Sequence, residues 1–123
     1  MMEHAFRKQD AGKPRPALIP PEFVEQMALV LDAGSRKYAV WNWAPGAEWS
    51  RYYAALLRHL NAWWGGEDRD PETGLSHLGH AACCLSFLVS YEQRGVGKDD
   101  RPYKDPRPPP TAPPPSSGTR RTP

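Results

Sequence analysis

The stretch "RHLNAWWGGEDRDPETGLSHLGH", residues 58–80, gathers His59, His77 and His80, three of the chain's four histidines, with the carboxylates Glu67, Asp68, Asp70 and Glu72. Carboxylate oxygens bind hard divalent ions such as magnesium, and imidazole shifts the preference toward manganese, zinc and other transition ions. A mixed oxygen and nitrogen set suits hydrolysis of phosphate esters and anhydrides, where a metal neutralises phosphate charge and lowers the pKa of an attacking water. His77 and His80 stand three residues apart. On a helix they share one face, a spacing that lets two ligands reach one metal or two neighbouring ones.

Each of these residues also has a plainer reading. Asp70 and Glu72 suit a helix start, acids in an exposed turn are common, and a single histidine such as His59 on an apolar helix is usually a satisfied core residue. The His77/His80 pair resists that reading, because burying two polar rings on one face costs free energy unless both find partners. Phosphate chemistry also needs cations. Lys13 and Arg15 in "GKPRP", Lys37, and Arg58 beside His59 are the candidates to hold the rest of a polyphosphate.

The elements that must position these groups are helical. Pro21 suits a first helical turn, Phe23, Val24, Met27, Val30 and Leu31 follow at helical spacing, and Gly34 reads as a stop, which predicts a first helix over about residues 21–33 or slightly beyond. Tyr53, Leu56, Leu57, Leu60 and Trp64 predict a second, with Ser50 as N-cap and an end near Gly65-Gly66. "DPETG" predicts the start of a third, with Asp70 as N-cap and Pro71 at the first position, running to about Gln93 before Gly95. Between the first two helices, "SRKYAVWNWAPGAEWS" reads as a structured loop. Its aromatics either staple the loop to the core or form a platform on which a nucleobase stacks, with Lys37 or Asn42 supplying polar contacts.

Leu75, Leu78, Ala82, Leu85 and Val89 make one stripe of the third helix, and Ala81, Cys84, Phe87, Leu88 and Tyr91 widen it around the cylinder. A helix apolar most of the way round is buried on several sides, more than three helices of one short chain supply. A homo-oligomer with two-fold symmetry is therefore expected.

Composition narrows the function classes. The 123 residues suffice for one domain, residues 1–100, followed by a proline-rich segment, 101–123, that holds nine of the fifteen prolines and no aliphatic residue larger than alanine. That segment reads as a disordered, polyproline-like tail. It carries five Lys/Arg against one Asp, which leaves eleven bases against thirteen acids in residues 1–100. A mildly acidic body argues against a general nucleic-acid binder. Adjacent Cys83 and Cys84 cannot easily bond to each other within a helix, so a reduced, cytosolic setting is expected. No signal peptide is visible, and the longest apolar run is too short to span a bilayer, so no membrane partner is expected.

The segments "GKPRP", "KY" with "NW", and "RHLNAWWGGEDRDPETGLSHLGHAA" occur together and in order. In this they closely resemble the phage dATP/dGTP diphosphohydrolase family, a MazG-like group of all-α nucleotide pyrophosphohydrolases, over roughly Arg7 to Tyr91. The resemblance implies a MazG-like helical bundle completed by homo-oligomerisation, commonly to a tetramer built as a dimer of dimers. It implies hydrolysis of dGTP or dATP between the α and β phosphates, with Mn²⁺ or Mg²⁺ as cofactor, in the host cell cytoplasm. In phages that replace adenine with 2-aminoadenine, the dGMP so formed feeds synthesis of that nucleotide. Ordinary MazG proteins bind metal through EExxE followed by ExxD on the next helix. This chain has no EExxE, and its ExxD, Glu67 to Asp70, falls in a turn.

Residue by residue, Glu67, Asp70, His77 and His80 are then the expected catalytic and metal-binding set, with His59 contributing. Lys37, Tyr38, Asn42 and Trp43 are expected near base or sugar, and Lys13, Arg15 and Arg58 near phosphate. Two other readings differ in kind. An HD-domain phosphohydrolase would release triphosphate, but the chain contains no His-Asp dipeptide. A non-enzymatic helical module would act through "PRPPP" and "APPPSS", and leaves the cluster at 58–80 unexplained.

Overall fold

The computed structural model describes residues 5–103, and the proline-rich segment beyond Tyr103 lies outside the described residues. A 3-10 turn, Pro16–Leu18, precedes three helices, α1 (Pro21–Lys37), α2 (Trp49–Trp64) and α3 (His77–Arg94), and two isolated bridges are the only β pairing among the described residues. The fold is all-α, as the periodicity predicts. α3 packs on both α1 and α2. Every fully buried residue among the described ones, from His77 and Gly79 through Ala81–Cys84 to Tyr91, belongs to α3.

α1 does not stop at Gly34. The roughly 0.5–1 kcal/mol that glycine costs inside a helix is spanned by an Asp32–Arg36 ion pair and a hydrogen bond from Ser35 Oγ to the Asp32 carbonyl, and Tyr38 N–H closes the last turn on the Gly34 carbonyl at 2.9 Å. Gly79 lets α1 approach α3. A Cβ there would stand 3.1 Å from the Gln26 carbonyl oxygen.

α2 and α3 form an antiparallel hairpin clipped at its open end. Trp49 Nε1–H donates to the Val96 carbonyl at 3.0 Å, and Trp49 N–H donates to that of Lys98 at 2.9 Å. Ser50 is not the N-cap: it lies inside α2, and its N–H and O–H both donate to the Asp100 carboxylate, so the cap comes from a residue fifty positions away. The aromatic loop is stapled. Trp43 stacks on Phe87 with centroids 5.1 Å apart, Tyr91 O–H donates to the Trp43 carbonyl at 2.6 Å, and Tyr52 meets Phe87 edge-on.

The third helix begins at His77, not at Pro71 as "DPETG" predicts. Ser76 is its N-cap, accepting from Gly79 N–H at 3.1 Å, and Gly95 at φ 66° ends it. Asp70 instead heads a turn, where Thr73 N–H donates to its Oδ2 at 3.1 Å and Gly74 N–H to its carbonyl at 2.7 Å. Asp-Pro at the first two positions is a β-turn signature as much as a helix-start signature. Here the turn wins, because Ser76 offers the cap immediately before the apolar run.

Outward from α3, Leu78, Leu85 and Val89 remain 42–51% exposed. No helix among the described residues is long and apolar enough to cross a membrane.

Candidate metal centre at the closed end of the hairpin

α2 ends in a Schellman turn: Gly66 N–H donates to the Trp63 carbonyl and Glu67 N–H to that of Ala62, both at 3.0 Å, with Gly66 at φ 103°. This turn delivers Glu67 to the start of α3. The connecting segment is tied down by His77 N–H donating to the Asp68 carbonyl at 3.0 Å and by the Arg69–Ser76 bridge.

Five expected ligands converge there. His59 Nδ1 lies 2.9 Å from His77 Nδ1, His77 Nε2 lies 2.7 Å from Glu67 Oε1, and His80 Nε2 lies 2.7 Å from Thr73 Oγ1 and 3.9 Å from Asp70 Oδ2. The His59 and His80 rings stack 4.6 Å apart, nearly parallel. His77 is 3% exposed, the one buried polar side chain among the described residues.

The bonds fix the tautomers. Glu67 accepts from His77 Nε2–H, which leaves His77 Nδ1 with a lone pair, so the proton in the Nδ1–Nδ1 contact belongs to His59. Thr73 Oγ1 also lies 3.0 Å from Asp70 Oδ2 and accepts from Leu75 N–H at 3.2 Å. A hydroxyl has one proton to give. Donating it to the Asp70 carboxylate and accepting from His80 Nε2–H satisfies every partner, whereas the reverse leaves the carboxylate facing an oxygen lone pair.

Electrostatics agree with this assignment. Burial, reinforced by the neighbouring His80 and His77, lowers the His59 pKa below its ordinary 6.5. Burial lowers His80 as well, with Asp70 pulling only part of the way back. Burial alone would raise Asp70, but the two hydrogen bonds from Thr73 outweigh it and hold the carboxyl below its ordinary 3.8. These shifts favour neutral imidazole at His59 and His80 and carboxylate at Asp70, the states in which such groups bind metals.

Ligand atoms of His59, Asp70 and His77 all lie within 4.8 Å of one another. Two nitrogens bound cis to one ion at about 2.1 Å stand roughly 3.0–3.4 Å apart, so the 2.9 Å Nδ1–Nδ1 contact needs only a slight opening once His59 shifts to its Nε2–H tautomer. Both hydrogen bonds from Thr73 fall on Asp70 Oδ2, and Oδ1 receives none from the described residues. The donor set fits a transition ion such as manganese. Glu67 and Thr73 sit one step out, orienting His77 and Asp70, and His80 stacks as a wall beside His59.

The other expected residues are more dispersed. Lys37 Nζ is 3.7 Å from Glu72 Oε2 and 5.1 Å from the Tyr38 ring centroid, so the end of α1 overlies the turn that carries Asp70. Arg58 is exposed on α2 beside His59, Lys13 and Arg15 are exposed on the segment before α1, and Asn42 is exposed on the loop. Trp43 packs on Phe87, which lies about 10 Å beyond His80 along α3 by helical rise, with Arg94 over its ring. Thr73 escapes sequence reasoning. The signal for it is Asp-Pro-x-Thr, in which a hydroxyl three residues after Asp can bond back to it.

One concavity of about 620 Å³ runs along Tyr53, Leu85, Val89 and Tyr103, away from the cluster, and another of about 370 Å³ lies beside it, lined by Gln26, Trp63, Asp68, Arg69 and Ser76.

Residues 3–101 match the family model of the dATP/dGTP diphosphohydrolase N-terminal domain. The chain belongs to that family. A dATP/dGTP diphosphohydrolase of Salmonella phage PMBT28 is 39% identical over 94 residues, which cover 76% of this chain. The same match spans 32% of the phage protein, so the chain corresponds to about a third of that relative's length. No solved structure matches.

Proposed function

We propose that this member of the dATP/dGTP diphosphohydrolase family hydrolyses dGTP, and dATP or GTP less readily, between the α and β phosphates, giving the nucleoside monophosphate and pyrophosphate. The observation that carries the reading is the His59–Asp70–His77 triad at the hairpin's closed end, its ligand atoms within 4.8 Å of one another. A bound Mn²⁺ or Mg²⁺ would neutralise phosphate charge and acidify water there.

The chain's own residues do the rest. His59, Asp70 and His77 hold the ion, Glu67 and Thr73 orient them, and Lys37 and Arg58, flanking the cluster, bind phosphate oxygens, with Lys13 and Arg15 reaching from the N-terminal segment. Water attacks the α-phosphorus, Glu67 takes its proton through the carboxylate oxygen not engaged by His77, and the bond to the α–β bridging oxygen breaks with its electron pair leaving on pyrophosphate. No protein nucleophile is required. We also assign the exposed Leu78, Leu85 and Val89 of α3 to contacts between copies of the chain in a homo-oligomer, a dimer of dimers.

The test is product analysis. Purified protein is incubated with each dNTP and rNTP and Mg²⁺ or Mn²⁺. Monophosphate with pyrophosphate is the expected outcome; nucleoside with triphosphate would assign HD-type chemistry, and no turnover with any metal would contradict an enzymatic role.

A further inference from the structure

The 370 Å³ cleft beside the candidate metal centre joins an aromatic face to hydrogen-bonding side chains. Trp63 lines it, 37% exposed and tilted against Trp64 at 6.0 Å between centroids. Asp68 and Gln26 line it as well, and neither side chain makes a hydrogen bond to a described residue. Arg69, at the rim, is pinned by its own bond to the Gly74 carbonyl at 3.2 Å. The cleft is fixed to the candidate centre by backbone: the Asp68 carbonyl accepts from His77 N–H at 3.0 Å, and Ser76, also lining it, caps the helix that His77 begins. A phosphate held at the cluster therefore has a flat, polar-edged recess next to it.

Resting on the nucleotide reading above, we propose that this cleft receives the purine base, stacked on Trp63, and that the Asp68 carboxylate reads guanine. The Watson–Crick edge of guanine presents two adjacent donors, N1–H and the 2-amino group, and a carboxylate has two oxygens that accept both in parallel. Adenine presents a donor at N6 but a lone pair at N1, which would face a carboxylate oxygen. The Gln26 amide, able to donate or accept, discriminates between neither base. Asp68 thus sets a guanine preference on a site whose shape admits both purines. A carboxamide at the same position pairs with either base, donating to adenine N1 and accepting from the 6-amino group, or donating to guanine O6 and accepting from N1–H, so it removes the preference.

The experiment measures binding of dGMP and of dAMP to the full chain by isothermal titration calorimetry with Mn²⁺ present, for wild type, Asp68→Asn and Asp68→Glu, alongside turnover of dGTP and dATP. The expected result is a dGMP preference of about tenfold or more in wild type, lost in Asp68→Asn while dAMP binding persists, and kept in sign by Asp68→Glu. An unchanged preference in a folded Asp68→Asn protein overturns the assignment but leaves the hydrolase reading standing if dGTP is still turned over. Selective binding without turnover overturns the hydrolase reading and keeps the assignment. Failure of both nucleotides to bind overturns the base site.

Discussion

His59 and His77, on different helices, bring their Nδ1 atoms within 2.9 Å of each other. That contact is favourable only with one proton between the rings, and two imidazolium cations there would repel. With Nε2–H of His77 committed to Glu67, moving the His59 proton from Nδ1 to Nε2 presents two imidazole lone pairs to a cation.

Glu67 is therefore expected to matter through His77. In Glu67→Gln the amide oxygen still accepts from His77 Nε2–H but no longer carries charge. The expected effect is a roughly tenfold or greater weakening of Mn²⁺ binding with secondary structure unchanged, measured by calorimetry and circular dichroism.

Thr73 holds Asp70 and His80 together through one hydroxyl. Thr73→Val keeps the shape and removes both bonds. Asp70 then loses the hydroxyl bond that helps hold its pKa down while keeping the one from the Thr73 backbone N–H, and metal affinity should fall by about tenfold, with Thr73→Ser restoring most of it. Carboxyl titration of Asp70 by NMR should move upward in the valine variant, and a stationary curve would contradict the bonding pattern.

His59 and His80 both titrate below 6.5 in the fold, so between that value and their lowered folded values the unfolded chain binds more protons than the native one. Their contribution to stability is complete above pH 6.5 and is lost as pH falls through the folded values. Melting temperature of the metal-free protein should hold level near neutrality and decline in mildly acidic buffer. Replacing both histidines with glutamine should flatten that decline.

Gly66 carries the Schellman turn that delivers Glu67, at φ 103°. Gly66→Ala should destabilise the chain by about 1–2 kcal/mol, read by urea denaturation, and should weaken metal binding beyond what the stability loss explains.

Much of this was legible in the sequence, and the gaps have physical causes. Helical periodicity placed α1 and α2 closely, and the 58–80 stretch marked the right end of the hairpin, because a short connection brings residues on both sides of it together. The α3 start was misplaced because Asp-Pro signals a turn and a helix start alike, and only the competing Ser76 cap decides. That shift matters for chemistry. With Asp70 outside the helix, its carboxylate turns toward Thr73 and the histidines. His77 and His80 do share a face, yet His77 points to His59 and Glu67 while His80 stacks on His59, a distinction that spacing alone does not contain. The long-range clips, such as Asp100 to Ser50, have no local signal at all.

The account's central claim is that one ion sits between His59, His77 and Asp70. Its most direct test is a crystal structure of the full chain grown with Mn²⁺, recorded near the manganese absorption edge. An anomalous peak within about 2.0–2.3 Å of His59 Nδ1, His77 Nδ1 and an Asp70 oxygen is the result this arrangement predicts. A fully occupied peak elsewhere, with the His59–His77 contact intact, would contradict it.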